Sequence, residues 1–430
     1  METKGNGLAL LPLIIFLALF VGSGIITGDF YKMPILVAII IASGAALMMN
    51  RKETFTAKVE NFAKGAGHLD LMIMVFIFIL AGAFSEVAKG MGAVESTVNL
   101  ALSFLPQSFL IAGLFIIGAF ISLAMGTSMG TIAALAPIGV GISAEADISI
   151  ALAMAAVIGG AMFGDNLSFI SDTTIAAVRT QQTEMRDKFK VNFFIVLPAA
   201  IITCAVLIVM TLGNQSPVSP GEFSFLKMLP YIAVLVTALL GINVIIVLSG
   251  GILLSGVIGL SDGSYTLTAF LQKIADGIMG MAELVILSLL IGGMVELIKR
   301  NGGIHFILEA MTRRISSKKG AEFAIAGLVS TTNLATANNT ISIIAAGPLA
   351  KDMADKYKID KRKSASLLDI FSCSIQGLIP YGAQMLTAAQ FAKISPADIL
   401  PFSYYPFLIA VMGIVAIIIG YPKFKDSRQV

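Results

Sequence analysis

Apolar runs of about twenty residues recur along almost the whole chain between short polar stretches, and that is the length at which a helix crosses the hydrocarbon core of a bilayer. Leu8 to Ile26 and Met33 to Met49 are the first two. No cleavage site lies between them, so the first is expected to remain as a helix and not to be removed as a signal peptide. Hydrophobic residues make up 57% of the 430 positions and charged ones 13%, against about 25% charged in an ordinary soluble domain. The pattern predicts an all-α polytopic membrane protein.

The basic residues sort by side. With a cytoplasmic N-terminus, 24 of the 29 Lys and Arg residues fall in cytoplasmic segments: Lys4, Arg51 to Lys64, Arg179 to Lys190, Lys299 to Lys319, Lys351 to Lys363, and Lys423 to Arg428. Lys32, Lys89, Lys227, Lys273 and Lys393 are left singly outside, as the positive-inside bias requires. Both termini are thereby expected in the cytoplasm. The segments flanking Phe109 to Ser143 carry no basic cluster, whereas those flanking Ala321 to Ala350 are strongly basic. Each of these stretches is expected to enter and leave on one side, as re-entrant hairpins approaching from opposite faces.

An offset of about 210 residues lays Leu80 to Glu86 on Leu290 to Glu296, and Leu123-Ala-Met-Gly-Thr-Ser-Met on Leu334-Ala-Thr-Ala-Asn-Asn-Thr, with Pro137 over Pro348. The expected architecture is two inverted repeats, 1–212 and 213–430, each of about five transmembrane helices, one of them broken, plus a hairpin. The linker between them is Gly213 to Gly221. Opposed repeats with interrupted helices suit a carrier that works by alternating access.

Polar groups at membrane depth must be buried in protein or line a cavity. Candidate hairpin tips are Gly126 to Thr131, with Thr127 and Ser128, and Thr331 to Thr340, with Asn338, Asn339 and Thr340. Candidate helix breaks are Gly164 to Thr174 and Gln376 to Thr387. A broken helix offers carbonyls to a cation at one end and N–H groups to an anion at the other. Ser171 or Asp172 is placed to cap the second half-helix. Asp165 and Asp172 are carboxylates near the bilayer centre, where a charge costs about 2.5–3.5 kcal/mol or more. A proton and Na+ can compete for one such carboxylate.

The stretch Gly164-Asp-Asn-Leu-Ser-Phe-Ile-Ser-Asp-Thr-Thr174 resembles the Gly-Asp-x-x-Ser-x-x-Ser-Asp-Thr-Thr signature of the NhaC family of Na+/H+ antiporters, within the ion transporter superfamily. Asn166 and Phe169 stand where Lys and Pro are expected in many members. The resemblance implies a cation site built from Asp165, Ser168, Ser171, Asp172, Thr173 and Thr174, and Asn166, within the same stretch, is a further cation-binding candidate. It adds the hairpin tips at Thr127, Ser128, Asn338, Asn339 and Thr340, and a bacterial cytoplasmic (inner) membrane location.

Na+/H+ antiport is therefore the expected function, with Na+ as the only metal, no cofactor and no nucleic-acid partner. Na+- or H+-coupled transport of a small organic anion or amino acid is the alternative, with Tyr381 and Gln384 as substrate contacts. A homodimer is expected by superfamily analogy. Metal-ligand spacings, nucleophile elbows and phosphate loops are all missing from the sequence, so an enzyme is not expected.

Overall fold

The computed structural model describes residues 5–23, 26, 33–104, 106–169, 171–212, 221–240, 242–312 and 315–422. Lys4, the segment from Asp29 to Lys32, linker residues 213–220, Arg313, Arg314 and the basic C-terminus lie outside the described residues. Among those described, every regular element is helical.

The first half contains α1 (Leu11–Leu17), α2 (Ile35–Met48), α3 (Phe55–Ala66), α4 (Leu69–Gly90), α5 (Ala93–Phe104), α6 (Gln107–Met125), α7 (Ser128–Ala146), α8 (Ile150–Leu167), α9 (Asp172–Gln181) and α10 (Met185–Thr211). The second contains α11 (Phe225–Leu239), α12 (Val244–Ser261), α13 (Leu267–Gly280), α14 (Ala282–Arg300), α15 (Gly303–Thr312), α16 (Lys318–Thr336), α17 (Asn339–Lys356), α18 (Lys361–Gln376), α19 (Ala383–Ala392), α20 (Pro396–Ile399) and α21 (Tyr404–Ile419). Six of the described helical stretches are long and apolar enough to span a bilayer, or up to seven if the pair Pro396–Phe402 and Tyr404–Ile419, bent by 52°, is one span.

A shift of 211 residues carries both ends of α6 onto those of α16, and both ends of α9 onto those of α19. The same shift carries the first residues of α7, α8 and α10 onto those of α17, α18 and α20. Local backbone signals keep the spacing. Asp147 and Gln182 take left-handed φ values of 50° and 54°, and Lys358 and Lys393, 211 positions on, take 54° and 53°. Residues in that conformation end helices, because the turn satisfies the last free carbonyls.

Most of the core gathers α6 to α10 with α16 to α21. Within it α6 and α8 run almost backbone to backbone: a Cβ on Gly160 would strike the Phe115 carbonyl, and one on Gly164 would strike Ser122. Further out, α4 crosses α13 at Gly82 and Gly277, and α3 crosses α14 at Gly65 and Gly292, each glycine facing the backbone of its partner. Small residues allow such approach where lipid supplies no hydrophobic drive between helices. Phe120, Ile201, Val209, Leu253, Val257 and Ile418 are exposed on the periphery, an apolar surface suited to acyl chains.

Three lysines that the charge pattern assigns to cytoplasmic segments, Lys58, Lys188 and Lys363, are buried.

Candidate functional site

α6 ends at Gly126, whose φ of 69° closes the helix, and Thr127 then caps α7 by accepting from the Gly130 N–H. The hairpin turn thus takes two residues. Its counterpart is built alike: Ala337 takes φ 50° at the end of α16, and Asn338 caps α17 by accepting from the Ile341 N–H at 2.9 Å. The helix breaks correspond at their far ends only, the second being two residues longer. α8 stops at Leu167 and α9 begins at Asp172, while α18 stops at Gln376 and α19 begins at Ala383.

Both tips and the first break meet at one cavity of ≈ 100 Å³. Asp165 enters it from the last turn of α8, and its carboxylate accepts from Ser128 Oγ at 2.9 Å and from Ser171 Oγ at 2.6 Å. The side chain is 4% exposed. Ser171 has one hydroxyl proton and gives it to Asp165, so in its 2.9 Å contact with Thr173 the Thr173 hydroxyl donates. Ser171 occupies the cap position of α9 without accepting from the helix. Its hydroxyl is turned to the carboxylate instead, which departs from the expected capping role, while Asp172 sits in the first turn of α9 where the dipole favours an acid.

A second chain arrives from the other half. Gln376 Nε2 donates to Gln384 Oε1 at 2.7 Å, and Gln384 Nε2 donates to Ser128 Oγ at 3.2 Å. Asp165 is the terminal acceptor of both chains. Thr127, Asp172, Thr173, Asn338, Asn339 and Thr340 also line the cavity. Asn339 Nδ2 is buried there with no partner among protein atoms.

The other site residues named from the sequence lie elsewhere. Asn166 donates its side chain to the Met162 carbonyl, one turn back in its own helix. Ser168 ends α8, and its N–H bonds the Gly164 carbonyl at 2.7 Å. Tyr381 donates to the Leu334 carbonyl at 2.7 Å, packs edge-on against Phe16, and lines a separate cavity of ≈ 180 Å³ with His68 and Glu296.

Thr174 belongs to a cluster that the charge pattern hides. Lys188, 1% exposed, places its Nζ 2.7 Å from Asp369 Oδ2, 2.6 Å from the Asn166 carbonyl and 2.7 Å from Thr174 Oγ1. Asn192 donates to the same carbonyl at 3.1 Å and to the same carboxylate oxygen at 2.8 Å. The helical spacing of Lys188, Val191, Asn192 and Ile195, all buried, marks the inward face of α10 and is the signal that could have found it.

The Na+/H+ antiporter family model matches the chain twice, over residues 5–213 and again over 211–424. Among curated proteins, the chain is 24% identical over 428 residues to the Na+/H+ antiporter NhaC of Bacillus subtilis, covering 91% of this chain and 92% of that one. It is also 24% identical to NhaC of Alkalihalophilus pseudofirmus, with 100% of both chains covered. The malate-2H+/Na+-lactate antiporter of Bacillus subtilis is 22% identical, covering 96% of this chain and 94% of that one.

Proposed function

The chain belongs to the Na+/H+ antiporter family, and on that premise we propose that it exchanges Na+ for H+ across the membrane by alternating access, with Asp165 holding the two ions in turn. The observation that carries this reading is the Asp165 carboxylate, buried at a helix break and faced by the hydroxyls of Ser128 and Ser171. Carboxylate and hydroxyl oxygens are the ligands a small hard cation takes, and Thr127, Thr173, Thr340 and the Asn338 side chain supply more around the same cavity. Na+ and a proton neutralise the same charge, so each expels the other. A core that turns only when that charge is neutralised then performs exchange.

The two halves, 1–212 and 213–430, act in this reading as inverted repeats whose hairpins, α6–α7 and α16–α17, enter from opposite faces. Supporting it are the 211-residue recurrence of helix ends, the double family match, and the meeting of both tips at one cavity. The basic segments that remain exposed favour cytoplasmic termini.

The test uses proteoliposomes loaded with Na+ and diluted into Na+-free medium, with a pH dye inside. Wild type acidifies the lumen as Na+ leaves, and Asp165→Asn does not. Absence of any pH response in wild type, with ionophore controls intact, overturns exchange as the main activity.

A second reading, coupled transport of a small carboxylate, is favoured by one observation: the unpartnered Asn339 Nδ2 lies beside the first turn of α17, and an N–H donor at a helix N-terminus suits an anionic oxygen. Na+-driven uptake of labelled lactate or malate into the same vesicles separates the two.

A further inference from the structure

We propose that the first helix break holds a second cation position, filled by the chain's own Lys188 ammonium, and that this tethered cation limits the core to one exchangeable Na+. An ammonium has three N–H donors and no acceptor. Those of Lys188 are matched by three oxygens, the Asn166 carbonyl, Thr174 Oγ1 and Asp369 Oδ2, at 2.6, 2.7 and 2.7 Å. A carbonyl from a helix end, a hydroxyl and a carboxylate are oxygen ligands of the kinds a hard cation takes. Their hydrogen-bond distances are only slightly longer than the roughly 2.3–2.6 Å at which Ca2+, a hard cation, sits from oxygen. Asn192 braces two of the three by donating to the Asn166 carbonyl and to Asp369. The pocket is thus fixed independently of the lysine stem.

The neighbouring Asp165 cradle has the same chemistry, a buried carboxylate with two hydroxyls, but among the described residues no side-chain cation touches it. Two cation positions therefore flank one break, one tethered and one open to the cavity. The tethered one stands outside the recurring frame: 211 residues from Lys188 is Ile399, and 211 residues from Asp369 is Ile158. Lys188 comes from α10 and Asp369 from α18, so the ammonium also joins the two halves. Another buried pair among the described residues, Lys363 with Glu322 at 2.8 Å, lies within the second half.

Only the open position depends on the Na+/H+ reading, and counting bound ions separates the two ideas. The measurement is equilibrium binding of ²²Na+ to the purified full-length protein by scintillation proximity. Lys188→Ala opens the position and should bind one more Na+ per chain than wild type, two against one. Lys188→Ala combined with Asp369→Asn removes the carboxylate as well and should return the count to the wild-type value. A wild type that binds none while Lys188→Ala binds one would sink the exchange reading and leave the tethered position standing. Equal counts in wild type and Lys188→Ala would overturn it. Should Lys188→Ala be recoverable in neither Na+ nor choline buffer, Na+ cannot replace the ammonium and the inference fails too.

Discussion

The two helix breaks lie between helix pairs tied in the same way and differ in chemistry. Ser122 on α6 donates across to the Ala161 carbonyl on α8 at 2.6 Å, and 211 residues later Asn333 on α16 donates across to the Ser372 carbonyl on α18 at 2.7 Å. The helix pairs are thus tied at corresponding points. Yet the position of Asp165 in the first break is Gln376 in the second, and that of Ser128 is Asn339. An amide reproduces the size and some of the hydrogen bonds of a carboxylate without its charge. The comparison teaches that the recurring frame sets where a helix may break, while a few substitutions leave a carboxylate in one break and an amide in the other.

The sharpest way to break the comparison is to exchange roles at that pair. Asp165→Asn should bring Na+-driven proton movement down to the level of empty vesicles, whereas Gln376→Leu should retain measurable exchange at a reduced rate. Equal loss from both would mean that the charge at 165 is not what distinguishes the breaks.

Packing gives the next effect. Gly164 lies against Ser122 and the Ala119 carbonyl, and its counterpart in α18 is Ile375. Gly164→Leu should destabilise the protein by about 3 kcal/mol, the upper range for overpacking, while Ile375→Leu, which conserves volume, should cost under about 1.5 kcal/mol. Thermal unfolding in detergent reads both.

Coupling between the breaks runs through Gln384, which links Gln376 to Ser128. Gln384→Ala removes one neutral hydrogen bond to Ser128, worth about 1 kcal/mol, so the Na+ concentration giving half-maximal exchange should rise about fivefold. An unchanged value would show that the second break does not influence the first.

The smallest effect concerns the tips. Gly126 and Ala337 both hold left-handed backbone, which costs a residue with a Cβ roughly 1–2 kcal/mol. Ala337→Gly should raise stability by up to about 1 kcal/mol, and Gly126→Ala should lower it by a similar amount, read from the same melting curves.

The hairpin tips and helix breaks were legible because Gly, Ser, Thr and Asn interrupt long apolar runs, and a polar interruption at membrane depth has few other uses. Asp165 was legible for the same reason. Lys188 was not. It lies between Arg186 and Lys190, and a lysine among surface charges reads as one more of them until the helix phase is known. Asp369 had no visible partner, since the residue that neutralises it sits in the other half. The Gln384 link was hidden likewise, being a contact between residues 256 positions apart. Lys363, in the basic run from Lys351, conceals an ion pair with Glu322 for the reason that applies to Lys188.

The Lys188–Asp369 bridge also bears on how the protein is made. A ribosome that adds roughly 5–20 residues each second delivers the lysine some tens of seconds, at the slow end, before the aspartate exists. Throughout that interval the Asn166 carbonyl and the Thr174 hydroxyl are at hand for the ammonium, but the carboxylate that neutralises it is not. Lys188 lies in the first turn of α10, close enough to the helix end for its flexible stem to carry the charge up to the lipid headgroups. The ion pair can close only when α18 arrives, so a chain stalled before residue 369 would hold the Lys188 charge without its carboxylate.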